Sequence, residues 1–284
     1  MANGFVPLEL HSSTDGYPFY IHRYLPAGKP IARLVWMHGI RSHAGWYARS
    51  ARKFAASGYE VHLLDRRGSG WNTAHRGDTP SFRRLILDVA EYLYALRAEK
   101  SWLPVVLAGV SWGGKQALGV AAEYPRLVDG VVLLCPGLSP QRRPPFASRL
   151  RIALARFLRP TRPFPIPLNE PELFTSDPHW QRFIATNPHD LHEATARFLF
   201  ESVRFDFFLR RNVERITQPV LLMLAEHDRV IDNARTRAYL TRLTAARNVS
   251  VIDYPGAHHT LEFEPESHPW FDDMRNWISK RVLM

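Results

Sequence analysis

The 284-residue chain contains a single cysteine, Cys135, and no uninterrupted apolar run of 18 residues. One thiol excludes an intrachain disulfide and a zinc site built from several cysteines. The lack of a long apolar run argues against a membrane-spanning helix. The first nine residues lack a basic stretch followed by an apolar one, so we expect no secretory signal and a cytoplasmic protein. The 13 histidines show no ligand spacing, so we predict neither a metal nor a metal-dependent chemistry.

Acidic residues are absent from residues 131–169, although the same stretch carries seven arginines. The whole chain has a formal net charge of +10. A basic surface can attract nucleic acid, an anionic membrane or an anionic substrate, or it can reflect composition alone. Because no nucleic-acid-binding module is recognisable, we expect no nucleic acid partner. Residues 131–169 carry charge of one sign only and are amphipathic. This pattern fits peripheral contact with anionic lipid or recognition of an acidic group on the substrate. The seven are Arg142, Arg143, Arg149, Arg151, Arg156, Arg159 and Arg162.

The sequence Gly-Val-Ser-Trp-Gly at residues 109–113 follows an apolar run and precedes a helix-like run. A strand that stops at a glycine-flanked serine and turns at once into a helix forms a nucleophile elbow. Gly109 and Gly113 leave room where a Cβ atom would clash. The helix that follows offers free N–H groups to an anion near Ser111. The motif therefore predicts Ser111 as a nucleophile.

A serine hydroxyl needs a base to take its proton and a third group to orient that base. In this kind of fold the chain order is serine, then acid, then histidine. Asp228 lies just past a predicted strand, whereas His258 and His259 lie past the next one. Adjacent residues of an extended loop point in opposite directions, so only one histidine can reach Ser111. The pattern alone leaves that choice open.

Two other acids compete with Asp228. Asp232 precedes a predicted helix and fits an N-cap, whereas Asp253 lies inside a strand. Both therefore fit the role less well.

Strands and helices alternate along the chain, which predicts an α/β fold with a mostly parallel sheet and helices on both faces. The N-terminal strands form a hairpin. We predict strands at 5–12, 17–25, 32–37, 60–64, 105–110, 128–134, 220–224 and 249–254, and helices at 45–57, 81–98, 115–124, 233–245 and 265–281.

The alternation breaks at residues 138–215, a stretch too long for an ordinary connection between a helix and a strand. We therefore divide the chain into a body, residues 1–137 and 216–284, and an insertion, residues 138–215. Within the insertion, residues 148–158 fit a short helix between prolines, and residues 178–212 are aromatic and helical. Its apolar side chains either line a pocket or pack the insertion onto the body.

Four motifs in order carry a family resemblance: Val-Trp-Met-His-Gly-Ile at 35–40, Leu-Asp-Arg-Arg-Gly-Ser-Gly at 64–70, the serine motif extended to Gly114, and Glu-His-Asp at 226–228 with Gly-Ala-His-His at 256–259. The chain resembles the α/β-hydrolase superfamily, in particular the branch of monoacylglycerol lipases, lysophospholipases and serine aminopeptidases. The resemblance implies that the insertion is a cap over the active site.

The resemblance also assigns roles. It makes Asp228 the acid and His259, rather than His258, the base. The backbone N–H groups of Ile40 and Trp112 would form the oxyanion hole. Asp65 becomes a carboxylate that holds a turn rather than a ligand residue.

The function implied is a serine esterase that works through an acyl-enzyme without a cofactor, on a small-molecule ester with a medium or long acyl group, such as a monoacylglycerol or lysophospholipid. An acyltransferase or peptidase with the same triad is one alternative, and a non-catalytic ligand-binding or membrane-binding protein on this scaffold is another. The candidate substrate-contacting residues are His38, Phe157, Trp180 and Phe183. The sequence makes no prediction of the oligomeric state.

Overall fold

A computed structural model describes residues 8–284, so the start of the predicted first strand lies outside the described residues. Ten strands occur in these residues, and eight of them form one sheet. The strands are β1 (Glu9–Ser12), β2 (Pro18–Tyr24), β3 (Ala32–Met37), β4 (Tyr59–Leu64), β5 (Val105–Val110), β6 (Gly130–Leu134), β7 (Pro163–Pro165), β8 (Glu193–Thr195), β9 (Val220–Ala225) and β10 (Val249–Tyr254).

Eight α-helices accompany the strands in the described part of the chain. They are α1 (Ala48–Ala56), α2 (Phe82–Glu99), α3 (Gly113–Glu123), α4 (Phe146–Leu158), α5 (Pro178–Thr186), α6 (Ala196–Asn212), α7 (Asn233–Leu240) and α8 (Trp270–Arg281). None of them is both long and apolar enough to cross a membrane.

The large sheet has the strand order β1-β2-β4-β3-β5-β6-β9-β10. Six neighbouring strands run parallel to one another, namely β4, β3, β5, β6, β9 and β10. Only β1 and β2 pair antiparallel with their neighbours. Every residue of β3, β4, β5, β6 and β9 is buried, because helices cover both faces of the sheet. This architecture confirms the predicted fold class. The carboxyl ends of the parallel strands meet at one edge, where such sheets hold their sites.

The segment between β6 and β9 is less uniformly helical than the sequence predicted. β7 pairs with β8 in a small antiparallel sheet that separates α5 from α6. The proline-rich β7 resembles a loop locally, and its partner lies far along the chain, so sequence patterns do not reveal the pairing.

Helix α6 returns the chain from the carboxyl edge of the sheet to the start of β9. It packs on α4 and also on α2 and α3. The contact with α3 is close, because a Cβ on Gly119 would lie 2.7 Å from the Phe205 ring. Because α6 contacts both the body and α4 of the insertion, its packing does not decide where the insertion ends, and the predicted division at residue 215 stays a prediction.

Helix boundaries differ from the predictions at a few ends. The predicted helix at 45–57 opens with a 3-10 turn, Ala44–Tyr47, before α1 begins. Helix α8 starts at Trp270 rather than at residue 265, because Pro269 has no N–H to donate to the Pro265 carbonyl and its ring would clash with that carbonyl in a continuous helix. Asp232 accepts a hydrogen bond from the Arg235 amide at 2.9 Å and caps α7, as predicted.

Candidate active site

Ser111 lies on a strained turn between β5 and α3. Its φ of +51° falls in the left-handed region, where a residue with a Cβ is rarely found. A Cβ on Gly113 would lie 2.3 Å from the Met37 carbonyl oxygen, and a Cβ on Gly109 would lie 2.6 Å from the Gly113 carbonyl oxygen. The turn can therefore form only with glycine at both positions, and it holds the serine side chain above the sheet edge.

Asp228 and His259 form a buried pair beyond the ends of β9 and β10. The His259 Nδ1 atom lies 2.7 Å from the Asp228 Oδ2 atom. The Asp228 Oδ1 atom accepts hydrogen bonds from the amides of Val230 at 2.8 Å and Ile231 at 2.9 Å. An ionised carboxylate can only accept, so the proton of a neutral His259 belongs on Nδ1.

The other ring nitrogen of His259, Nε2, is buried and has no hydrogen-bond partner among the described residues. His259 and Ser111 line the same cavity. A neutral imidazole with Nδ1 protonated carries its lone pair on Nε2. The structure thus leaves a base available on the side of the cavity that also holds the serine.

The competing residues have other partners. His258 Nδ1 lies 3.2 Å from the Glu264 Oε1 atom, so this histidine is paired with a carboxylate rather than with backbone. Asp253 binds exposed Arg237 at 2.5 Å. The Asp65 carboxylate accepts hydrogen bonds from the amides of Ala44 at 2.8 Å and Trp71 at 3.1 Å, which fits a role in holding the turn.

Two backbone N–H groups near Ser111 lack an acceptor. A Cβ on Gly39 would lie 3.3 Å from the Ser111 Cβ atom, so the loop that leads into Ile40 runs directly beside the serine. Trp112 is the N-cap of α3. Within residues 8–284, neither the Ile40 amide nor the Trp112 amide donates a hydrogen bond to the protein. Both groups are therefore available to an anion that forms next to Ser111.

A small, partly open cavity lies beside Ser111. Its walls combine the loop after β3 with the insertion, which contributes Leu168 and Phe174. Trp46 meets Phe174 edge to face, with ring centroids 5.5 Å apart. Sequence reasoning missed these walls. One signal points towards them: Arg41 follows directly after Ile40 in the loop beside Ser111.

The predicted substrate-contacting residues do not line this cavity. His38 is buried behind the loop, where its Nδ1 donates to the Gly39 carbonyl at 2.7 Å and its Nε2 accepts from the Arg66 amide at 3.0 Å. Desolvation by burial lowers the pKa of His38 to about 3, so it stays neutral. Phe157 is 75% exposed on α4.

Trp180 and Phe183 pack one layer outside the cavity wall. The Trp180 ring stacks on Phe263 with centroids 4.7 Å apart. Phe183 meets Trp46 edge to face at 6.2 Å. These two aromatic residues support the wall rather than form its surface.

Cys135 lies close to the acid and base pair. Its sulfur, a carboxylate oxygen of Asp228 and a ring nitrogen of His259 lie within 4.8 Å of one another, a spacing that could hold a metal ion. The carboxylate and the imidazole are already hydrogen-bonded to each other. Burial is the main cause that raises the pKa of the Cys135 thiol well above its usual value, so the sulfur keeps its proton. The group is therefore a poor cation ligand set at neutral pH.

Comparison with known proteins gives one family. The sequence profile of the family described as serine aminopeptidase, S33, matches residues 28–266. The monoacylglycerol lipase of Mycolicibacterium smegmatis is 26% identical over 257 residues, which covers 90% of each chain. The human monoglyceride lipase is 26% identical over 285 residues, covering 95% of this chain and 89% of the relative.

Solved structures share the fold of this chain. The monoglyceride lipase of Saccharomyces cerevisiae, solved as a soluble variant in complex with a substrate analog, superposes with a TM-score of 0.84 at 19% identity and covers 99% of this chain and 97% of that one. The monoacylglycerol lipase of Paleococcus ferrophilus superposes with a TM-score of 0.80 at 21% identity, covering 93% and 98%.

Proposed function

Because this chain belongs to the serine aminopeptidase S33 family of α/β-hydrolases, we propose that it hydrolyses monoacylglycerols or lysophospholipids through an acyl-enzyme on Ser111. Lipid-ester hydrolysis by a serine hydrolase is the activity that the family and the lipase relatives support. The structural observation that supports the proposal is the hydrogen-bonded pair of Asp228 and His259. The Nε2 atom of His259 has no partner among the described residues, and His259 lines the same cavity as Ser111.

The geometry supports an ordered sequence of steps. His259 Nε2 takes the proton of the Ser111 hydroxyl as the oxygen attacks the ester carbonyl, and the negative charge moves to the carbonyl oxygen. The Ile40 and Trp112 amides bind that oxygen. The imidazolium then gives its proton to the departing alcohol. Water repeats the sequence on the acyl-enzyme, again with His259 as base, and releases the fatty acid. Asp228 keeps the imidazole in the required tautomer.

We further propose that helix α4 docks the protein on anionic lipid. Most of its large apolar side chains face solvent instead of the protein, which is unusual for a surface that stays in water. The acid-free stretch around it supplies positive charge on the same surface. Such docking would bring the cavity to the bilayer in which lipid esters reside, with the protein peripheral to it. The exposed apolar residues are Phe146 (73%), Leu150 (62%), Leu154 (62%), Phe157 (75%) and Leu158 (70%).

A fluorophosphonate probe and an ester panel test the catalytic proposal. The wild-type protein should be labelled and should hydrolyse monoacylglycerols of graded acyl length. Ser111→Ala should abolish both labelling and hydrolysis, with turnover lowered by roughly 10³ to 10⁶. Ser176→Ala, which changes an exposed serine of the insertion, is the matched control and should behave as wild type. Labelling or turnover that persists in Ser111→Ala would rule out Ser111 as the nucleophile.

Vesicle sedimentation tests the docking proposal. Changing Arg149, Arg151, Arg156 and Arg159 together to Gln should abolish binding to phosphatidylglycerol vesicles, because each basic residue near an anionic surface contributes about 1 kcal/mol. Hydrolysis of a small soluble ester should survive.

The matched control for docking changes four exposed arginines outside the insertion to Gln, which alters the net charge equally. It should keep vesicle binding. Equal loss in both variants would mean that overall charge, not α4, governs binding. The control positions are Arg126, Arg235, Arg247 and Arg281.

A further inference from the structure

Arg66 is a buried cation directly behind the loop that carries Ile40. Only 5% of the residue is exposed. Its Nη1 atom donates to the Gly39 carbonyl at 3.0 Å, and its Nη2 atom donates to the Ile40 carbonyl at 3.0 Å and to the Ser69 hydroxyl at 2.7 Å. The guanidinium group thus donates hydrogen bonds to two consecutive carbonyls of one loop.

The same guanidinium also contacts the residue that follows Ser111. Its central carbon lies 4.9 Å from the centroid of the Trp112 indole and 5.3 Å from the Phe198 ring. A cation over the face of an aromatic ring is attracted by the ring's quadrupole. One side chain therefore touches both residues whose amides are free beside Ser111.

Arg66 has no carboxylate within 4.0 Å among the described residues. The neighbouring Arg67, equally buried, makes ion pairs with Asp88 at 2.8 Å and Asp15 at 2.9 Å. Burial lowers the pKa of Arg66 to about 9, which still leaves it charged at neutral pH. Burying a cation without a contacting counter-ion is costly, and this fold retains the arrangement beside the candidate site.

The hydrogen bonds to Gly39 act on the Ile40 amide through a shared peptide group. The Gly39 carbonyl oxygen and the Ile40 N–H are the two ends of one planar unit. That oxygen accepts from Arg66 and also from His38 Nδ1 at 2.7 Å. Donors at the oxygen end polarise the unit and strengthen the N–H as a donor at the other end. They also fix the plane, and with it the direction in which the N–H points.

We propose that Arg66 is a positioning residue of the oxyanion hole whose charge also stabilises the transition state. It orients and polarises the Gly39–Ile40 peptide and holds Trp112 in place. When Ser111 attacks, the electron pair of the carbonyl bond moves to the carbonyl oxygen, and the positive charge of the buried guanidinium, at the oxygen end of the Gly39–Ile40 peptide, stabilises the negative charge that develops near the N–H end. This inference rests on the proposed function.

Arg66→Met, which keeps the length of the chain but removes the charge, provides the main test. We expect kcat to fall about 10- to 100-fold, less than the roughly 10² to 10³ for loss of an oxyanion-hole donor itself, with KM changed less than threefold. Arg67→Met is the matched control, since it removes a buried arginine one position away that does not touch the loop. It should lower Tm and leave kcat, measured well below Tm, within twofold of wild type.

An alkyl boronic acid, which forms a tetrahedral anion on a catalytic serine, separates transition-state effects from a loosened fold. Its affinity should fall in Arg66→Met by the same factor as kcat/KM and stay unchanged in Arg67→Met. Equal kcat and equal boronate affinity in the two variants would overturn the inference, as would a rise in KM with kcat intact.

Two further variants keep the test decisive. If Arg66→Met does not fold, Arg66→Lys carries the test: it keeps the charge but cannot bridge two carbonyls, so kcat should fall several-fold. A Lys variant with wild-type kcat and boronate affinity would overturn the inference. Ser111→Ala separates the two proposals, because activity in that variant contradicts the proposed function, whereas an inactive Ser111→Ala beside a fully active Arg66→Met contradicts only the role of Arg66.

Discussion

The hydrogen bonds around Asp228 determine what an amide at this position would do. In Asp228→Asn, one oxygen and one NH₂ group replace two acceptors. The Oδ1 position faces two amide donors, Val230 and Ile231, at 2.8 and 2.9 Å. The oxygen of the new amide must therefore stay there, which turns its NH₂ group towards His259 Nδ1.

A donor facing Nδ1 forces that nitrogen to accept, so the imidazole proton moves to Nε2, where it blocks proton transfer from Ser111. If the amide turned round, its oxygen would face His259 and the Nδ1-protonated tautomer would return. Its NH₂ group would then face the N–H donors of Val230 and Ile231. That costs two hydrogen bonds of about 1 kcal/mol each and leaves buried donors unsatisfied, for about 1–3 kcal/mol more. The wrong tautomer should therefore prevail, and turnover should fall about 10⁴-fold, equivalent to about 5 kcal/mol in the barrier.

Steady-state hydrolysis of a soluble ester, with the fold checked by circular dichroism, measures this effect. Asp232→Asn is the matched control, because it makes the same chemical change four residues later at an N-cap where asparagine serves as well as aspartate. It should keep full activity. An Asp228→Asn protein that folds and retains more than a tenth of wild-type kcat would refute the tautomer argument.

Three other outcomes follow from the packing and the charges. Gly113→Ala should lose about 3 kcal/mol or more of unfolding free energy in a denaturant titration, because its Cβ would meet the Met37 carbonyl oxygen at 2.3 Å, whereas Gly28→Ala, with open space, should be neutral. Burial raises the pKa of Glu262 from 4.5 to about 7, so its contribution to stability is present below pH 4.5 and lost as pH rises through 7. The free energy of unfolding of Glu262→Gln, relative to that of wild type, should therefore rise by about 3 kcal/mol between pH 4.5 and 8. A difference that stays constant across that range would contradict the shift. Leu168→Trp should narrow the cavity and lower kcat/KM for long acyl esters more than for an acetyl ester; an equal loss for both would place the acyl chain elsewhere.

The sequence predicted most of what depends on short-range order. Parallel strands end at one edge, so a serine, an acid and a histidine placed just after separate strands come together without knowledge of the rest of the fold. The structure brings Ser111, Asp228 and His259 to one edge in this way, and their catalytic roles stay predictions. The choice between His258 and His259 came from the resemblance, and Glu264 accounts for where His258 goes.

The cavity walls could not be read from the sequence because contacts distant in sequence place them. Arg41 Nη1 donates to the Leu168 carbonyl at 2.7 Å, across 127 residues. The amide of Leu191 donates to the Arg41 carbonyl at 2.8 Å. For His38, the sequence motif predicted a position beside the site but not the orientation of the ring. The hydrogen bond from the Arg66 amide shows that the ring faces away from the cavity.

Different parts of the insertion are packed onto the rest of the protein to different extents. Leu168, Phe174 and Ile184 belong to the same apolar core as the sheet. Helix α4 buries only Ile152 and Ala155 of its 13 residues, in a small separate cluster. Local opening requires little free energy where few apolar contacts are lost. The amide hydrogens of α4 should therefore exchange with solvent far faster than those of the cavity walls, so that this helix can detach and redock while the cavity stays assembled.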